Sequence, residues 1–173
     1  MSTKAAFNED KVALVCGLFI FVLALGKLIG LDILGWTLKV GMWVSNPFDG
    51  LSSATKGLVP GWAALLITYV FITAVLSVGV KLMRGNVKRF VGSFTLIFFI
   101  AIACYTVGAN AYIAANPTEL AKMGIPWALG LSTEAGLICA LIAGILIGNL
   151  APGFTDSVRE ACRPELFVKI AIV

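Results

Sequence analysis

Four apolar stretches, each long enough to cross a bilayer, dominate the chain: residues 12–36, 61–82, 90–115 and 131–150. A helix rises 1.5 Å per residue, so about 20 apolar residues match a hydrocarbon core of about 30 Å. In lipid, backbone N–H and C=O groups have no water to bond. Runs of this length must therefore satisfy them internally, as helices. Composition agrees: 60% of residues are hydrophobic and 13% charged, with a mean hydropathy of +0.99. A soluble domain is closer to half apolar and a quarter charged, and 173 residues cannot bury this excess in one core. The expected fold class is all-α, a polytopic transmembrane helical bundle with four full spans and the start of a fifth. The lipid bilayer is its first partner.

The stretch 12–36 is too long for the apolar core of a signal peptide and lacks a cleavage site, so it reads as a retained first span. Residues 37–60 carry turn signals at Asn46-Pro47 and Asp49-Gly50. Their apolar front half leaves an interfacial, a re-entrant and an exposed placement all open. The basic turn KLMRGNVKR (81–89) joins spans two and three, and a loop with Asn116-Pro117 and Pro126 joins three and four. After APGFTDSVREACRP the final LFVKIAIV covers only about 12 Å as a helix, less than half the hydrocarbon core. That ending reads as an N-terminal fragment whose partner is the remainder of its own chain.

The net charge of +4 does not indicate nucleic acid, because the basic residues sit between apolar segments and form no interleaved patch. They read as orientation signals. With the N-terminus cytoplasmic, the inner side carries Lys4, Lys11, Lys81, Arg84, Lys88, Arg89, Arg159 and Arg163, and the outer side only Lys39, Lys56 and Lys122. This asymmetry obeys the positive-inside rule and places the chain in the cell inner membrane, multi-pass, N-terminus inside. Trp36, Trp43, Trp62 and Trp127 all fall at the outer interface. Self-association into a homo-oligomer is left open.

No histidine is present, and the four cysteines form no CxxC pair, so neither a metal nor a cofactor is expected. GxSxG, HExxH and Walker patterns are absent, and an enzyme is not expected. Small residues recur every fourth position in the fourth stretch, at Gly136, Ala140, Gly144 and Gly148. Such a ladder marks a helix face where backbones approach closely. Lys27 and Asp32 are the charges inside span one; a break at Gly30 could bring them together, and snorkelling to the interface accounts for them more cheaply. Ser132, Thr133 and Glu134 open span four. They serve either as a helix cap or as lining for a substrate or ion. Asn149, at the far end, is a second candidate lining group, and Tyr105 and Asn110 in span three share the ambiguity.

The segment from Ile125 onward, with GILIGNL closing a span rich in small residues and FVKIAIV opening the next, resembles the YeiH-like sulfate exporter family of bacterial membrane proteins. Gly144, Gly148 and Asn149 carry the matching motif. The resemblance implies a secondary transporter of small inorganic or organic anions, sulfate among them. Its core would be built from inverted repeats with broken helices crossing near the midplane, with residues 1–124 as an N-terminal extension of three transmembrane helices and 125–173 as the beginning of the transporter core. The alternative is a non-transporting membrane scaffold or assembly subunit.

Overall fold

The computed structural model describes residues 9–83, 85–150 and 153. Expectations resting on Lys4, Arg84, Arg159, Arg163, Cys162 and the start of span five lie outside the described residues, as do the side chains of residues 10 and 133. Six α-helices run in order: α1 Glu9–Leu25, α2 Gly61–Leu82, α3 Val87–Gly108, α4 Ala111–Ala114, α5 Pro117–Met123 and α6 Ala135–Leu150. Three helical segments are long and apolar enough to span a membrane: Lys11–Ile29, Gly61–Leu82 and Val87–Gly108. The expected span two matches α2 residue for residue. Span three starts three residues earlier and ends at Gly108 rather than near residue 115. The fourth stretch is shorter than expected. α6 has 16 residues, about 24 Å, preceded by one 3-10 turn over Ser132–Glu134 that adds about 6 Å.

Span one is also shorter than its apolar run. After α1 the chain tightens into a 3-10 turn, Gly26–Ile29, and stops at Gly30, whose φ is +81°. Leu31 N–H donates to the Gly26 carbonyl at 2.9 Å and Gly30 N–H to the Lys27 carbonyl at 3.2 Å. These two bonds are a Schellman closure, which needs a left-handed residue where glycine sits. Hydrophobicity alone could not reveal this stop, because apolar residues continue on both sides of it.

The strands were not anticipated. β1 (Leu38–Val40) and β2 (Leu51–Ser53) pair antiparallel, with Lys39 opposite Ser52, and a 3-10 turn at Pro47–Gly50 lies between them. The hairpin descends beside α2, where Leu38 N–H donates to Thr68 Oγ1 at 2.8 Å. Thr68 lies seven residues into α2, about 10 Å from its N-terminal end. Farther along α2, Trp36 sets its ring edge against Phe71, with centroids 5.2 Å apart. Residues 37–60 thus form a hairpin cap folded against α2.

Successive long helices run antiparallel. α1 meets α2 through Val12 and Cys16 opposite Gly79, and through Phe19 stacked at 6.5 Å on Phe71. α2 and α3 enclose the main core, in which Leu76, Val80, Phe90 and Phe94 are buried. One polar link crosses it, a 2.6 Å hydrogen bond between the Tyr69 and Thr95 hydroxyls. α6 packs on α3. A second, smaller core of Ala111, Ala115 and Ile125, with Leu120 and Met123 of α5 packed against it, sits beyond the C-terminal end of α3. Leu141, Ile145 and Leu146 of α6 and Val15, Phe21 and Val22 of α1 are exposed apolar side chains, as lipid-facing surfaces require.

Candidate functional site

Only part of the small-residue ladder is a packing face. At its N-terminal end Gly136 lies against α3: a β-carbon there would fall 2.8 Å from Tyr105 Cδ1. Across the contact, a β-carbon on Gly108 would fall 2.5 Å from the Gly136 Cα, so the two glycines touch backbone to backbone. Gly144 and Gly148 have nothing within 4 Å of an added β-carbon. The helix repeat explains the loss. At 3.6 residues per turn a strict spacing of four drifts about 40° per step, so three steps carry the ladder well off the facing helix. The half-buried residues of α6 run instead through Cys139, Ala140, Ala143 and Ile147.

Beside the Gly108–Gly136 contact lies a cavity of about 300 Å³. Tyr105 and Ala109 of the α3 end, Met42 of the hairpin cap, Glu119 of α5 and Ser132 line it. Each is positioned by local chemistry. Asn116 and Glu119 form a capping box at the start of α5. Glu119 N–H donates to Asn116 Oδ1, and Asn116 N–H donates to Glu119 Oε2, each at 3.0 Å. The box fixes the carboxylate at the cavity edge and places its charge at the favourable end of the helix dipole. Met42 is held because its neighbour Trp43 is bonded on three sides. Trp43 N–H donates to the Ala109 carbonyl, Ala111 N–H donates to the Trp43 carbonyl, and the indole Nε1–H donates to the Thr106 carbonyl at 2.6 Å. Ser132 has a φ of +55°, uncommon for a residue with a β-carbon, immediately after Leu131 N–H is tied to the Ile113 carbonyl.

The residues expected to line a site do not all meet. Ser132 lines the cavity, and Glu134 is exposed just beyond it. Asn149 lies at the opposite end of α6, about 22 Å from Glu134 along the axis. Its amide folds back on its own helix, with Nδ2 donating to the Ile145 carbonyl at 2.7 Å. Lys27 and Asp32 fall on either side of the Gly30 stop, and among the described residues no ion pair joins them. Asp32 instead accepts a hydrogen bond from the Thr55 hydroxyl, which ties the end of span one to the hairpin. Tyr105 belongs to the cavity, whereas Asn110 caps α4 by accepting from Tyr112 N–H at 3.0 Å. Glu119, Met42 and Gly108 had escaped notice. The sequence signal for Glu119 was the run Asn116-Pro117-Thr118-Glu119, a cap with proline at the first helical position and an acid at the third.

No protein-family profile matches the chain, and no solved structure does so either. Over 171 residues, 97% of the chain, it is 30% identical to a UPF0324 membrane protein of Nitrosomonas europaea, of which it covers 35%. A UPF0324 membrane protein of Rhodopirellula baltica is 24% identical over 135 residues, 78% of this chain and 20% of that protein. The chain therefore spans about a third or less of the length of the curated relatives it matches. The likeness extends well beyond the C-terminal quarter. This chain is a membrane protein whose homologues are UPF0324 membrane proteins, the YeiH family.

Proposed function

We propose that this chain forms the outer cap and first four spans of a secondary transporter for small anions, sulfate-like ions among them, in the bacterial inner membrane. The observation that carries the reading is the uneven seating of α6, tight against α3 at Gly108–Gly136 beside a cavity and open at Gly144 and Gly148. A helix that packs on α3 along one face while its later glycines stay open on another suits a boundary between bundles that rock around a midplane site. With its 3-10 turn α6 reaches about 30 Å, enough for a fourth span. Residues 1–124 then act as a peripheral unit and 125–173 as the entry to the transporting core.

The N-terminus faces the cytoplasm on this reading. Lys27, in the 3-10 turn after α1, joins the three expected outer lysines on this reading, and eight inner charges against four still favour that orientation. Most of the midplane site belongs to the remainder of the chain. Sulfate uptake or efflux in proteoliposomes holding the full-length protein is the test. Lack of flux for sulfate and for a panel of other small anions overturns the proposal in favour of a non-transporting assembly subunit.

A further inference from the structure

Two of the lysines that run against the charge asymmetry of the chain gather in one place. A second cleft, of about 400 Å³, opens between the β1–β2 hairpin, the 56–61 loop and the end of α5. Lys39 of β1 and Lys56 of the loop both line it, and so does Met123. Met123 is 84 residues from Lys39 in sequence, so the fold, not local composition, assembles the cleft. Lys39 and Lys56 are exposed, and among the described residues neither forms an ion pair. Asp49 is the one acid lining the cleft, and Asn46 Nδ2 donates to its Oδ1 at 3.4 Å. Glycines at 41, 50, 57 and 61 keep the walls free of side chains. At Gly50 no β-carbon fits easily, since it would fall 3.0 Å from Trp43 Cδ1.

We infer that this cleft is a binding site for a tetrahedral oxyanion, the group shared by free sulfate or phosphate and by a phospholipid headgroup. The ammonium groups of Lys39 and Lys56 complement its negative charge and can donate several hydrogen bonds to its oxygens. Gly41 and Met42 line both this cleft and the 300 Å³ cavity, so the site adjoins the space beside Gly136. The choice of ligand rests on the anion-transport reading.

The experiment uses full-length protein in nanodiscs. In phosphatidylcholine discs, equilibrium dialysis with radiolabelled sulfate measures binding of a free anion. In phosphatidylglycerol discs, native mass spectrometry counts retained anionic lipid. The Lys39→Gln/Lys56→Gln variant is expected to weaken sulfate binding at least tenfold, or to lose the retained lipid, with unchanged gel-filtration behaviour. Lys39→Arg/Lys56→Arg keeps the charge and is expected to bind, which separates recognition from misfolding. Binding that is equal in the wild type and the Gln variant, or absent from the wild type in both discs, overturns the cleft. Flux that persists in that case leaves transport standing. Lysine-dependent binding without any flux overturns transport alone.

Discussion

Gly108 on α3 and Gly136 on α6 meet with no side chain between them, and this contact is the tightest point of the α3–α6 seam. Gly108→Ala places a methyl group 2.5 Å from the Gly136 Cα, so the helices must separate. Overpacking of this kind costs about 1–3 kcal/mol. A lower unfolding temperature and reduced monodisperse yield in detergent are expected. Gly144→Leu, on the open part of the same ladder, leaves both measures at wild-type values. Equal damage from the two substitutions would show that Gly144 is also packed.

One turn from that contact on each helix lie Cys104 of α3 and Cys139 of α6, both half-buried. In a variant carrying Cys16→Ser and Cys162→Ser, copper-phenanthroline is expected to join them into an intramolecular disulfide. Peptide mapping under non-reducing conditions reads the outcome. If only intermolecular products form, the antiparallel pairing of these helices is wrong.

Thr73 Oγ1 on α2 is buried and lacks a hydrogen-bond partner among the described residues. An unsatisfied buried hydroxyl costs about 1–3 kcal/mol, and valine has nearly the same shape. Thr73→Val is expected to hold or raise thermal stability. A clear fall would mean that the hydroxyl has a partner in the assembled protein.

Trp43→Phe removes the indole donor to the Thr106 carbonyl while keeping an aromatic ring. A hydrogen bond of this type contributes about 1 kcal/mol net. The expected signature is faster amide hydrogen exchange confined to the hairpin and α4, with α2 protected as before. Exchange unchanged throughout the cap would show that the backbone bonds at Trp43 suffice.

Much of the fold was legible because lipid imposes one strong rule. α2 coincides with its apolar run because Pro60 and Met83 bound a stretch with a single charge near its end. Where local backbone chemistry decides, hydropathy is silent. Gly30 ends span one inside an apolar run, and Ala109 ends α3 before the hydrophobicity does. The site was harder to read. The ladder stood out as a pattern, yet its working half could be separated from its idle half only by the angular drift of a spacing of four. Gly108 has no such ladder around it, and its importance comes wholly from what lies across the seam. Lys39 and Lys56 stand in the sequence only as exceptions to a charge rule, since nothing in their spacing foretells a shared cleft.

The hairpin cap has a mechanical consequence. Its β1 is bonded to Thr68 of α2, while Trp43 is bonded to Ala109 and Ala111 at the end of α3. With the core of Leu76, Val80, Phe90 and Phe94 joining the same helices farther down, α2 and α3 are clamped at two heights. Two clamps make a stiff frame. α6 lies along the α3 side of that frame, so any load on it passes through α3, with Gly108–Gly136 setting how near the two helices stand.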